Sequence, residues 1–350
     1  MKKLRKGVLA ILLAFCLVFV TACGEAGEES VDEVSQEQTG IKIGLSFDSF
    51  IIERWRRDCD VFVSKIKEYD SNADVIVQNA NGDIDTQVSQ LRYLIDKKVD
   101  VLVIVCIDSE SLSGVVAEAK EVGIPVIAYD RLIKDSNVDL YISFDNEKVG
   151  YLMGEALWNS GLPKRKVLML SGPNEDNNVS MVENGFRSVM TANHIEIADC
   201  YNVPGWKAED AADYINQHLN ELSDIDAIMC GNDNIATTII RSLSEARLAG
   251  KIKIVGQDAD LEACQRVVEG TQVMTVYKPV EKLAQAAAEY AIQFAEGKEL
   301  TGVTDTISDG TYDVPYYYLE PIAVTKDNID ETIIDSGFHL RDDVYLNVVD

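Results

Sequence analysis

The fold is decided by VLVIVCIDSESLSGVVAEAKEVGIPVIAYDR, residues 101–131. Val101–Ile107 is an unbroken apolar run rich in β-branched residues. A strand covered on both faces reads this way, whereas a half-exposed strand alternates. Residues 111–121 then take helical spacing, and Pro125–Tyr129 is a second apolar run. Strand, helix and strand within about thirty residues make a βαβ unit, with parallel strands joined by a right-handed crossover. Each run ends in polar residues, Asp108 after the first and Asp130-Arg131 after the second.

The same alternation extends in both directions. Further strand-like runs lie at residues 41–47, 74–79 and 140–144, then at 166–170, 195–203, 227–230, 252–255 and 273–277. Helical spacing fills 52–69, 86–97, 148–158, 181–192, 208–222, 236–249 and 281–296. These ten strands exceed a comfortable single sheet and fit an α/β protein of two doubly wound, parallel-sheet halves. The first half ends near Asn146 and the second begins near Glu147. No Pro- or Gly-rich linker separates them, so several short crossings should join them. From Leu300 helical spacing is lost, and Asp313-Val314-Pro315 with the polar-aromatic residues after it is a candidate for one further crossing.

The N-terminus reads as a targeting segment. Lys2, Lys3, Arg5 and Lys6 precede an uncharged apolar stretch, residues 7–22, which ends Val20-Thr21-Ala22-Cys23. The cysteine placed there makes the segment resemble a lipoprotein signal, which implies cleavage after residue 22 and acyl chains on Cys23. A plain secretory signal and an N-terminal membrane helix are the alternatives, the run being short against the roughly 20 residues a span needs. Residues 23–40, rich in Glu, Ser and Gln, cannot bury a core and read as a flexible tether.

The net charge is −27, and without the four cations of the leader it becomes −31. So acidic a chain argues against nucleic acid and anionic lipid as partners. Cys59, Cys106, Cys200, Cys230 and Cys264 are too scattered for a disulfide framework, and His194, His218 and His339 lie near no cysteine, so neither a metal site nor a cofactor is implied. Phosphate-binding loops, a nucleophile elbow and a zinc-protease motif are all missing, and nothing singles out a catalytic pair of carboxylates.

Ligands of open parallel sheets bind beyond the carboxyl ends of the strands. Those ends carry Asp48, Asn79 and Asn81, Asp108, Asp130-Arg131, the Asn174–Asn178 segment, Asn232-Asp233, Gln257-Asp258 and Lys278. One Asp or Asn there is an ordinary helix cap or turn residue. Carboxylates, amides and cations together satisfy both the donor and the acceptor side of a hydroxyl group, which suits a sugar. Trp206, in the Pro204-Gly205-Trp206 turn, is placed to stack on a sugar's C–H face. Trp55, in the first turns of a helix, serves equally as core, and Trp158 reads as packing.

Several strings resemble the D-xylose-binding proteins of bacterial transport systems, a branch of the ribose/galactose-type binding proteins. They are Glu53-Arg54-Trp55, Asn79-Ala80-Asn81-Gly82 with Thr86-Gln87, Ala128-Tyr129-Asp130-Arg131, and the run from Tyr141 to Gly150. Gly256-Gln257-Asp258-Ala259-Asp260-Leu261 and Gly270–Pro279 carry the likeness on, and it runs from about Ile41 to Gly337-Phe338-His339.

The resemblance implies a type I periplasmic-binding-protein architecture, two Rossmann-like lobes on a three-stranded hinge with the sugar in the cleft. One lobe would hold residues 41–146 and about 279–310, the other residues 147–278 and about 311–350. It implies that Arg54, Asp130, Arg131, Asn232, Asp258 and Lys278 hydrogen-bond the sugar, that Trp55 and Trp206 stack on it, and that one of Asn177 and Asn178 contacts it. The implied protein is a non-enzymatic monomer, lipid-anchored at the outer face of the cell membrane. Its partner would be a membrane ABC permease, or else a membrane histidine kinase to which the closed lobes report xylose. A repressor would need a helix-turn-helix where this chain has its leader.

Overall fold

The structure, a computed structural model, describes residues 40–51 and 54–348. The leader, the tether up to residue 39, Cys23, and Ile52 and Glu53 lie outside the described residues.

The first run of elements is β1 (Lys42–Phe47), α1 (Arg54–Tyr69), β2 (Asp74–Asn79), α2 (Ile84–Asp96), β3 (Val101–Ile104), α3 (Ser113–Glu121), β4 (Val126–Tyr129) and β5 (Leu140–Phe144). The second is α4 (Asn146–Ser160), β6 (Lys166–Ser171), α5 (Asn177–Ala192), β7 (Glu196–Asn202), α6 (Ala208–Gln217), β8 (Ala227–Cys230), α7 (Asp233–Glu245), β9 (Lys253–Gln257), α8 (Leu261–Glu269) and β10 (Met274–Tyr277). Then follow α9 (Val280–Ala295), β11 (Asp305–Ser308), β12 (Asp313–Leu319), β13 (Ile322–Val324) and α10 (Arg341–Val344).

The strands form two sheets, ordered β11-β12-β5-β4-β3-β1-β2 and β13-β10-β9-β8-β6-β7. Their central parts repeat one doubly wound order, in which the second strand lies outside the first and the rest run the other way. All strands of β1–β5 and β6–β10 pair in parallel; the β11–β12 hairpin and β13 against β10 are antiparallel. Both faces of each sheet are covered. In the first sheet α1 and α9 lie over one face, with Phe62, Leu283 and Ala287 against Ile43, Val103 and Ile142, while Leu91, Leu94, Val115 and Val116 fill the other. In the second, α4 and α5 cover one face and α6 and α7 the other. This double cover explains why β3, β4 and β8 are apolar at every position.

The α4–α5 crossing needs glycine. A Cβ on Gly150 would come 1.8 Å from the Val182 carbonyl oxygen, and one on Gly185 would come 1.9 Å from that of Glu147. The contact fixes the start of α5, which faces the first lobe.

The chain changes sheet three times: between β5 and α4, between β10 and α9, and between β12 and β13. The resemblance implies a return of the chain to the second lobe at about residue 311. The sheets put that step later: Tyr316–Leu319 of β12 pair with Tyr141–Phe144 of β5, and only β13 joins the second sheet. The polar-aromatic character that hid this strand is itself structural. Tyr316 stacks on Tyr141 at 4.9 Å and on Tyr318 at 5.1 Å between ring centroids.

Candidate functional site

Parallel strands bring their carboxyl ends to one edge of each sheet, and here the two edges face each other. The cavity between them is narrow, with about 30 Å³ open to the centre of a water-sized sphere, well below the roughly 300–1,000 Å³ of typical ligand sites. It is lined by Arg54, Trp55, Asp130, Arg131, Asn146, Asp176, Asn178, Trp206, Asn232, Asp258 and Lys278. Nine of the ten residues expected at a sugar site therefore meet around one space. The tenth, Asn177, turns its amide toward the Met181 sulfur at 3.7 Å. Of Asn177 and Asn178 it is Asn178 that lines the cavity; Asp176 caps α5 and consecutive helical residues point about 100° apart.

The first lobe supplies a charged ladder. Arg54 pairs with Asp130 at 2.8 Å and with Asp58 at 3.3 Å, and Tyr129 donates its hydroxyl to Asp58. Arg131 pairs with Asp48 at 2.8 Å and donates to the Cys106 carbonyl at 3.0 Å. Asp48, which ends β1, thus holds a site residue without lining the site. Burial works against charge on Asp130, but Arg54, then Lys278 and Arg131, outweigh it and hold the carboxyl below its usual range. Burial prevails at Asp58 and Asp176, both pushed upward despite Arg54 and Arg131.

The second lobe answers across the gap. Asp176 lies 2.8 Å from Arg131 Nε and accepts from Trp206 Nε1 at 3.3 Å. Asn178 Nδ2 donates to the Asp130 carbonyl at 2.9 Å and to its carboxylate at 3.2 Å, and Asn178 Oδ1 accepts from Tyr141 at 3.1 Å. Lys278, only 7% exposed, pairs with Asp258 at 2.7 Å. Asn232 caps α7 by accepting from the Ile235 amide at 2.8 Å. Trp55 Nε1, Arg131 Nε and Asp258 Oδ1 are buried without a well-directed hydrogen bond inside the protein, the last two standing only at ion-pair distance.

The two indoles are held differently. Trp55 is 2% exposed and belongs to the core of the first lobe, with the Arg54 guanidinium 4.3 Å above its ring. It is core and cavity wall at once. Trp206 is half-buried, and a Cβ on Gly172 would come 2.3 Å from its ring. The glycine that ends β6 thus seats the indole.

Sequence reasoning missed Asn146 and Asp176 as lining residues. Both sit at helix starts, where Asn and Asp are common, and both lay inside strings already singled out. Asn79, Asn81 and Asp108, in contrast, shape turns: Asn79 Oδ1 accepts from the Asn81 amide at 2.9 Å and Asp108 from that of Glu110 at 2.6 Å. Beyond Arg54 and Asp258 lies a larger cavity, about 320 Å³ by the same measure, lined by Arg57, Asp60, Val280, Phe338 and His339 among others. Fewer polar groups converge there. Among the described residues, no cluster of His, Cys, Asp and Glu could hold a metal ion.

Residues 43–299 match the sequence pattern described as a periplasmic binding protein domain. The chain is 40% identical to the D-xylose-binding periplasmic protein of Haemophilus influenzae, over 91% of this chain and 96% of that one. It is 42% identical to the D-xylose-binding periplasmic protein of Escherichia coli, over 85% and 91%. Among solved structures it is similar to an ABC transporter solute-binding protein from Clostridium phytofermentans with bound β-D-glucose. There the identity is 28% and the TM-score 0.79, over 87% of this chain and 99% of the other.

Proposed function

The chain belongs to the ribose/galactose-type periplasmic binding proteins, and from that premise we propose that it binds a monosaccharide, D-xylose, outside the cytoplasmic membrane by closing its lobes and hands it to an ABC importer. The observation that carries this is the make-up of the cavity wall. Arg54, Arg131 and Lys278 balance Asp130, Asp176 and Asp258, and Asn146, Asn178 and Asn232 complete a ring between two indoles. A charge-balanced wall favours a neutral ligand over an ion. Each sugar hydroxyl both donates and accepts, so neighbouring carboxylates, amides and cations serve it fully. Such bonds to charged partners contribute roughly 1.5–3 kcal/mol each.

Closure follows from which side chains sit where. Arg54, Trp55, Asp130 and Arg131 belong to the first sheet and its helices; Asp176, Asn178, Trp206, Asn232 and Asp258 belong to the second. A ligand that touches both sets makes its full contacts only when the edges meet, so it selects the closed state. The sugar leaves unchanged, since the ion pairs tie up the carboxylates that hydrolysis would need free. Acyl chains on Cys23 would keep the protein at the membrane face.

The test is calorimetric titration of the protein from Gly24 onward against pentoses and hexoses, with the recovered sugar analysed. Reversible binding strongest for D-xylose, with the sugar recovered intact, is expected. Tight binding of ribose or galactose without any response to xylose overturns the ligand, and conversion of the sugar overturns the binding-only role. Capture of a permease rather than a kinase by the xylose-bound protein separates transport from sensing.

A further inference from the structure

Asp233 does not line the cavity, yet it stands behind two residues that do. It opens α7 next to Asn232 and is fully buried. Its Oδ1 accepts from Gln272 Nε2 at 2.9 Å; its Oδ2 accepts from the Thr275 hydroxyl at 2.6 Å and from the Asp260 amide at 3.2 Å. Thr275 Oγ1 in turn accepts from the Ala259 amide at 3.1 Å. The fit is tight, since a Cβ on Gly256 would come 2.2 Å from Asp233 Oδ1.

Those two amides belong to the turn that presents Asp258 to the cavity. Asp258 and Ala259 take φ values of 98° and 54°, a left-handed pair without glycine. Such residues are strained and persist only where the surroundings fix them. Asp258 gives its own amide to the Val276 carbonyl at 2.8 Å. The next two amides are fixed through Asp233, one directly and one through Thr275.

We propose that Asp233 is a positioning residue for sugar binding, whose ionised carboxylate holds the 258–260 turn in the strained shape that aims Asp258 at the ligand. This rests on the reading of the cavity as a monosaccharide site. Protonation would remove the negative charge that strengthens all three accepted hydrogen bonds, and the turn would loosen. Burial, and then Asp258, push the Asp233 carboxyl up to about 7, while Thr275, Gln272 and Arg266 pull it down. The titratable groups around it are Asp258 and Asp260 in the turn, Cys264 and Arg266 on α8, and Cys230 at the end of β8. His339 Nε2 reaches the far side of the turn, 2.8 Å from the Ala259 carbonyl.

The signs separate positioning from mere structure. A carboxyl raised in the folded state adds stability that is full below its ordinary value and is lost as pH rises toward 7. Affinity should run the other way, full above 7 and falling as pH drops through it. Asp233→Asn mimics the neutral form. It should be at least as stable as wild type at pH 8 yet bind D-xylose roughly tenfold more weakly. Its affinity should lose the wild-type step near pH 7, which His339 alone would leave in place. Thr275→Val, which cuts the link to the Ala259 amide, should weaken binding similarly and serves if the first variant does not fold. Amide hydrogen exchange of residues 258–260, read without sugar, should quicken in both. Wild-type affinity in either folded variant, or unchanged exchange in the turn, overturns the proposal. A wild-type protein that binds no xylose refutes the ligand instead, and the exchange measurement still decides the role of Asp233.

Discussion

Asp130 and Asp258 hold the same place in the two lobes. Each follows the fourth strand of its sheet, β4 or β9, and each has positive φ, 64° and 98°. Each gives its amide to the neighbouring strand, to the Ile142 carbonyl at 2.7 Å and the Val276 carbonyl at 2.8 Å. Each carboxylate meets a buried cation, Arg54 at 2.8 Å and Lys278 at 2.7 Å. Backbone strain repeated at one position of a duplicated fold is the ground on which we propose both aspartates as ligand contacts. Neither side chain caps a helix, since α8 begins at Leu261 with Asp260 at its N-cap position, and a loop follows Asp130.

Changing either aspartate to Ala should therefore remove binding and not simply a cap. The variant loses bonds to the sugar and either strips Lys278 of its ion-pair partner or leaves Arg54 with Asp58 alone, and a buried cation that loses a partner costs more than the bond itself contributes. Each should lose at least about 3 kcal/mol of xylose affinity, roughly a hundredfold. Glu296→Ala, on the surface, should bind as wild type. Calorimetry with a melting curve on each variant checks this; normal affinity with a lowered Tm would assign both residues to the fold alone.

The seat of Trp206 gives a sharper test of stacking. Gly172→Ala places a methyl group where the ring lies, so the indole must move even though it is still present. Trp206→Ala removes it. Both should weaken xylose binding by roughly tenfold or more, and in Gly172→Ala the tryptophan fluorescence should shift without added sugar. Unchanged affinity in both variants would leave the indole as packing.

Lobe closure is expected from the contacts that cross the cleft. Besides Arg131–Asp176 and Asn178–Asp130, the Ser109 amide donates to the Glu175 carbonyl at 2.9 Å. These contacts join the two edges, and a sugar in the cavity would add bonds to both. X-ray scattering should show the radius of gyration falling as xylose is added. A radius unchanged at saturation would count against closure.

Much of this was legible in the sequence because double burial leaves a plain mark. Val101–Ile104 and Val126–Tyr129 are apolar at each position, and a parallel sheet sends whatever follows them to one edge. That logic alone gathers Asp130, Arg131, Asn232 and Asp258. It fails where a residue acts through another. Asp48 looks like a turn residue and holds Arg131; Asp233 looks like a cap and holds a turn. Their partners, Arg131 and Thr275, are distant in sequence, and no local pattern encodes the pairing. It fails also at β12, where burial on one side and aromatic stacking leave Tyr316–Tyr318 without the apolar signature of a strand.

The lipid anchor is tested apart from the fold. Cys23→Ala should leave the protein unprocessed or release it from membranes, because acyl chains would be the strong attachment left once the leader is cut. Fractionation with mass analysis of the mature N-terminus reads both outcomes. A variant that is processed yet still bound to the membrane would refute lipidation at Cys23.

Asp309 provides a pH signature of the β11–β12 hairpin. Its Oδ1 accepts from the Thr311 amide at 3.0 Å and the Tyr312 amide at 2.7 Å, and its Oδ2 from those of Ser136 at 2.9 Å and Asn137 at 2.8 Å. It so ties the β11–β12 hairpin to the loop that follows Arg131. Burial opposes the charge, but the four amides outweigh it and hold the carboxyl below its usual range. A carboxyl depressed in the folded state contributes stability that is present above its unfolded value, near 3.9, and lost as pH falls through the lower folded one. Asp309→Asn should thus be about 2 kcal/mol less stable than wild type at pH 7. In denaturant titrations the gap should begin to narrow below about pH 4 and shrink further as the native carboxylate takes up its proton. A gap that stayed constant down to the acid transition would mean that the shape of the side chain, and not its charge, holds the hairpin in place.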